Sequence, residues 1–274
     1  MKLSFKICLI LVPALVLLSH STHALAQKQS LSIQDVLTRL RANIEASTAP
    51  LPDVFCDEHI DLSLLHNGKV KHKTRIDNTI EAHRQIGEAQ DFSEDRTLRL
   101  IDGKPLINGK KYNQPMVVDA ELGSTFKTLI SSKYESCSVY SLETTAALDG
   151  NIVKLVVSLK PDYKGYAVCS KFAAVNAVAV FWLDPATLNL QRFEMIEPVV
   201  NNLNRFHVST LMIDYAFIQL GPQSYSLPVK VHATATKLLG SNQSDQLVYD
   251  ATLSNYHKFG TTVNIIFDPD DQPH

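Results

Sequence analysis

Cys56-Asp57-Glu58-His59 is the densest run of chemistry-bearing side chains in the sequence. A thiol, two carboxylates and an imidazole in succession contain metal donors and the partners for nucleophilic catalysis. Spacing restricts both uses. On a strand the side chains alternate, so Asp57 and His59 share one face while Cys56 and Glu58 share the other. Neither face completes a ligand set or a Cys–His pair without partners from elsewhere. The plainer reading is an edge or surface strand with a partly buried cysteine. Asp268, Asp270 and Asp271 gather near the C-terminus. They lack the spacing of a calcium loop and read as part of a frayed acidic tail, with residues 269–274 as its end.

No other pattern supplies a reaction. There is no GxSxG, HExxH, P-loop, GxGxxG or CxxC. His72, His83, His207, His232 and His257 share no spacing. The expectation is a non-catalytic protein with no cofactor and no metal.

The N-terminus addresses the compartment. Lys2 and Lys6 precede an apolar run from Ile7 to Leu18, and Ala24-Leu25-Ala26 closes a polar stretch with small-x-small spacing. This is the layout of a secretory signal peptide, residues 1–26, with cleavage after Ala26. The run is shorter than the roughly 20 apolar residues that span a bilayer. No later stretch approaches that length, so no membrane span is expected after cleavage. Taking Lys2 and Lys6 from 26 basic residues leaves 24 against 28 acidic ones, a net charge of −4. That balance argues against a nucleic-acid partner, which would need a basic face. A periplasmic or extracellular location permits disulfides. Cys137 and Cys169 flank a region that reads as a hairpin and are the preferred pair, which leaves Cys56 reduced.

The elements that would position these residues are mostly strands. Ser32 to Ala46 reads as an amphipathic helix, with Ile33, Val36, Leu37, Leu40 and Ile44 on one face. Ser32 and Asp35 form a capping-box-like start, and Pro50 and Pro52 stop the helix. Arg39, Arg41 and Glu45 fall toward the wet side. Extended segments follow. Val54–Leu65 turns at Asn67-Gly68 and returns through Val70–Ile80, and Glu81–Gln90 is read as strand continuation. Arg96–Ile101 ends at Asp102-Gly103, and Asn108-Gly109 marks a further turn. Asp119 to Ser131 is expected as a second helix. Ser138–Thr144 pairs with Ile152–Leu159, and Val175–Leu183 pairs with Leu188–Ile196. Phe206–Leu220, Tyr225–Leu238 and Gln246–Phe259 are long, and Val263–Phe267 closes the series. Sequential strands with tight turns are antiparallel neighbours, so the fold class is mainly β with a few helices.

Two strands are apolar on both faces. Val178, Val180 and Trp182 oppose Ala179, Phe181 and Leu183. On Phe206–Leu220, the apolar set Leu211, Ile213, Tyr215 and Phe217 opposes a mixed set. A sheet face in plain water reads more polar than this. A second layer of cover and a ligand cavity both satisfy the pattern, and both stay open. Val178, Val180 and Trp182 are the candidate ligand-binding residues.

Phe181-Trp182-Leu183-Asp184-Pro185-Ala186-Thr187-Leu188 resembles the strand-turn-strand of the bacterial LolA/LolB/RseB superfamily. Asp184 and Thr187 can bond the turn backbone and Pro185 presets its bend. The opening helix, the Leu227-Pro228 approach to a late strand and the Tyr256, Lys258, Phe259, Gly260 ending are similar too. The resemblance covers most of residues 30–268. It implies an incomplete, curved antiparallel barrel closed over by helices, with an apolar cavity, as a single domain over residues 27–268. It implies a soluble carrier or sensor of lipid or acylated protein, whose partner is a hydrophobic ligand or a lipoprotein. No lipid-acceptor cysteine stands at the cleavage point. The alternative is a structural or interaction module that binds an envelope protein and holds no small ligand.

Overall fold

The computed structural model describes residues 31–84, 92–106, 125–147, 150–160, 169, 178–197, 206–239 and 244–259. The signal peptide, the Asn108-Gly109 turn, the Val263–Phe267 strand and the acidic tail lie outside the described residues.

Helix α1 (Ile33–Thr48) begins where the capping residues place it. Ser32 Oγ accepts from the Asp35 backbone N–H at 3.1 Å and donates to Asp35 Oδ2 at 2.6 Å. Four apolar residues of the expected stripe, Val36, Leu37, Leu40 and Ile44, are buried, while Ile33 is exposed. Arg41 departs from the wet-side expectation. It is half-buried, pairs with Glu135 at 2.8 Å and donates to the Ile130 carbonyl.

The strands form two meanders. The first runs through β1 (Val54–His66), β2 (Lys69–Arg84), β3 (Phe92–Ile101) and β4 (Lys104–Pro105). The second contains β5 (Ser138–Ala147), β6 (Gly150–Leu159), β7 (Val178–Leu183), β8 (Leu190–Ile196), β9 (His207–Leu220), β10 (Gln223–Leu238) and β11 (Ser244–Lys258). Pairing of β1 with β11 joins them into one open 11-stranded antiparallel sheet, with β4 at one edge and β5 at the other. Asn67-Gly68 and Asp102-Gly103 both adopt positive φ. Those are the backbone angles that two-residue hairpins require.

Between β4 and β5, α2 (Thr125–Ile130) covers only the end of the expected second helix, and residues 119–124 lie outside the described set. A 3-10 helix follows, Ser132–Cys137. It leads into the base of the β5–β6 hairpin, where Cys137 is disulfide-bonded to Cys169 and the Cys137 carbonyl accepts from Lys160. Among the described residues, Cys56 is the free cysteine, and it is buried, as the pairing argument required.

One face of the sheet carries the core. Register aligns Ile76, Ile60, Ala251, Val231, Ile213, Phe193, Phe181 and Leu155 as a single row across eight strands. All eight are buried in one cluster that includes the stripe of α1. The next row, on the other face, reads Asp77, His59, Thr252, Lys230, Asp214, Arg192, Trp182 and Lys154. The period-2 alternation of each strand thus separates an apolar face from a charged one.

Candidate functional site

The C-terminal half of α1 is pinned from two sides. On one side lies the Asp184 turn. Asp184 Oδ1 accepts from the backbone N–H groups of Ala186 (3.0 Å) and Thr187 (2.8 Å) and from Thr187 Oγ1 (2.8 Å). The Thr187 N–H, foremost among these, holds the Asp184 carboxyl below its ordinary pKa. The ordered turn presents its carbonyls to the helix: Ala186 to Arg39 at 3.2 Å and Thr187 to Asn43 at 2.9 Å. On the other side, Arg84 Nη2 donates to the carbonyls of Thr48, Ala49 and Leu51, the last acceptors of the helix and its exit. Asp53 fixes the Arg84 backbone, and that bond is the main reason the Asp53 carboxyl is lowered.

Pinned this way, α1 stands off the β9–β10 end of the sheet and leaves a cleft of about 260 Å³. Ile44, Leu190, Tyr215, Phe217 and Pro228 supply its apolar surface. Phe217 is 58% exposed, the largest exposure among the big apolar side chains described. The polar lining consists of Asn43, Ser47, Thr48, Asn189, Ser224 and Ser226. Among the described residues, no Lys, Arg, His, Asp or Glu lines it.

The Cys56–His59 run splits as alternation requires, but β1 lies in the interior of the sheet rather than at an edge. Asp57 and His59 face outward. Asp57 pairs with Arg99 and accepts from Asn255, and His59 Nδ1 lies 2.7 Å from Asp77. Cys56 and Glu58 face inward and are 2% and 1% exposed. Glu58 accepts from Tyr249 Oη (2.8 Å), Asn78 Nδ2 (2.7 Å) and Arg96 Nε (3.3 Å), and Arg96 also reaches Glu94. Four strands therefore meet on one carboxylate. A one-residue slip of β1 would turn Glu58 outward and break all three bonds. Burial raises the Cys56 thiol to about 12, against a smaller lowering from its bond with Tyr256. Burial raises Tyr249 and Tyr256 as well. A thiol so placed is an inert core group and not a nucleophile. Among the described residues, no group of three His, Cys, Asp or Glu side chains is arranged to hold a metal ion.

Val178, Val180 and Trp182 lie together, half-buried, on the outward face of β7, opposite buried Ala179, Phe181 and Leu183. None of the three lines the cleft. The Lys154 ammonium sits 3.9 Å over the Trp182 ring, and Arg192 lies 5.8 Å from it while bonding Asp214. On that face the Trp182 ring supports two charged side chains. Further along the same face, a second depression of about 340 Å³ is bordered by His59, Asp61, Asp214, Lys230, His232 and Asp250.

The cleft residues escape a strand-by-strand reading because five of the twelve described come from the helix. One signal was available. The apolar face of β9 continues through Tyr215 and Phe217, and Phe217 is left uncovered.

No family model and no curated protein matches the chain. Several solved structures are similar to it, among them these two. One is a LolA superfamily protein from Nitrosomonas europaea, 12% identical, with 82% of this chain and 95% of that one covered and a TM-score of 0.29. The other is a DUF1329 family protein from Desulfovibrio piger, 11% identical, with 86% and 95% covered and a TM-score of 0.35. Neither contributes a residue role or a ligand to this chain.

Proposed function

We propose that this chain is an exported, non-catalytic binding protein that carries or senses a lipid or acylated protein. Residues 1–26 are removed on export, and residues 27–268 act as one half-barrel domain whose open sheet is closed over by helices. The compartment is the periplasm or the extracellular space, which the Cys137–Cys169 bond supports. Among the described residues, no helix is long and apolar enough to cross a membrane.

The cleft between α1 and the β9–β10 end carries this reading. Phe217 stands in water at its edge, and covering such a ring with hydrocarbon removes apolar surface from solvent at about 25 cal/mol per Å². Each methylene buried there contributes about 0.8 kcal/mol. The test is titration of the delipidated protein with a fluorescent acyl probe. Saturable binding is expected, with loss of at least tenfold in affinity in Phe217→Asp while circular dichroism is unchanged. Absence of saturable binding for every acyl probe contradicts the proposal. Trp182, the single tryptophan, reports on the alternative location. Occupancy of the cleft leaves its emission unshifted, whereas a shift assigns the ligand to the face of Val178, Val180 and Trp182.

A second reading, an interaction module for an envelope protein without a small ligand, draws on a different feature. Register aligns Val139, Val178 and Ile196 in one outward row, with Val139 47% and Ile196 52% exposed.

A further inference from the structure

We infer that the cleft selects neutral acyl groups, ester- or amide-linked, over free fatty-acid carboxylates. The inference rests on the carrier reading and specifies the ligand at the same site.

A carboxylate entering a partly apolar cleft must exchange its hydration for charged or strongly donating partners. Among the described residues, this lining offers none that are charged. The cations attached to the helix are committed elsewhere. Arg39 is held on the Ala186 carbonyl, Arg41 on Glu135 and the Ile130 carbonyl, and Arg84 on three carbonyls at the helix exit.

The hydroxyl hydrogens of the lining are also largely spent. Ser47 and Thr48 both donate to the Ile44 carbonyl, at 2.9 and 2.8 Å. Ser224 donates to Gln219 Oε1 at 2.5 Å. Their oxygens remain as acceptors, which repel a carboxylate and suit a ligand N–H or O–H. Asn189 adds an amide, which both donates and accepts, and Asn43 adds its amide oxygen, its Nδ2 already donating to the Thr187 carbonyl. An ester or amide junction needs one or two neutral hydrogen bonds and no counter-ion, and this lining matches that demand. The outward depression shows the contrast within the same molecule. It is bordered by ionisable groups, already paired as His59–Asp77, His232–Asp250 and Arg192–Asp214.

The test compares three probes with the same fluorescent acyl chain: the free acid, its methyl ester and its primary amide. They are titrated into the delipidated exported protein at pH 8, below their micelle concentrations. The ester and amide are expected to bind at least tenfold more tightly than the acid, or about 1.4 kcal/mol. Ser47→Lys adds a cation to the lining and is expected to narrow that gap by strengthening acid binding. Acid binding equal to or tighter than ester binding overturns the inference and leaves the carrier reading standing. An unchanged gap in folded Ser47→Lys overturns it too, because the discrimination would then arise outside the cleft. Failure of all three probes to bind removes both.

Discussion

Glu58 and His59 are neighbours in the chain and opposites in their surroundings. The Glu58 side chain is 1% exposed and bonded by three partners from three other strands. The His59 side chain is 54% exposed and pairs with Asp77 directly across β2. Both belong to an ion pair or its equivalent, yet the physics differs. Charges on the outward face keep their water and gain little from pairing. The charge on the inward face has lost its water and depends on every bond it makes. The faces therefore do different work: the inward one fixes strand register, and the outward one keeps a broad sheet wet. The cleft belongs to neither pattern, being partly open and, among the described residues, free of ionisable lining other than Tyr215.

The largest effect that would break this comparison is expected at Glu58. Glu58→Ala strands Arg96, Asn78 and Tyr249 without their shared acceptor and should cost about 3–5 kcal/mol in urea unfolding. A cost below about 1 kcal/mol would mean that water reaches the inward face. Cys56 probes the same interior. With its thiol raised to about 12, alkylation of the native protein at pH 8 should be slower than that of the unfolded chain by on the order of a thousandfold. Native labelling at the unfolded rate would refute the burial.

Asp184 sits between the extremes, half-buried at the turn that holds α1. Asp184→Ala removes three accepted hydrogen bonds and should cost about 1–2 kcal/mol. Its carboxyl is lowered in the folded state, so its stabilisation is present above the ordinary carboxylate range. It is lost as pH falls through the folded value, below about pH 4. The natural protein should therefore lose more stability than Asp184→Ala between pH 5 and pH 3, as read by thermal unfolding. Equal losses would show that the turn does not depend on the charge. The smallest effect belongs to the outward face. His59→Ala should change stability by about 1 kcal/mol or less, and by less still in high salt.

Much of this arrangement was legible in the chain. Turn chemistry fixed the hairpins at Asn67-Gly68 and Asp102-Gly103, because few residues other than glycine, asparagine and aspartate adopt those angles readily. Period-2 alternation placed Cys56 with Glu58 and Asp57 with His59, and compartment with hairpin position paired Cys137 with Cys169. Alternation states which residues share a face and leaves open which face is buried. For that reason alternation alone offers the outward residues of β7 as a ligand surface without showing that Trp182 carries Lys154 and Arg192 there. The burial of Glu58 escaped for a related reason. Its partners come from β2, β3 and β11, up to 191 residues away. The 3-10 segment ending at Cys137 gave no periodic signal because it is only six residues long. The cleft depends on how far α1 stands off the sheet, a distance set by side-chain-to-carbonyl bonds that no local pattern encodes.

The central claim is that the ligand sits between α1 and the β9–β10 end. Photo-crosslinking with a diazirine-bearing acyl methyl ester, followed by peptide mass mapping, tests it most directly. The account predicts adducts on peptides containing Asn43–Thr48 and Tyr215–Pro228. Adducts confined to the Val178–Trp182 peptide, or none above the level seen with Phe217→Asp, would contradict it.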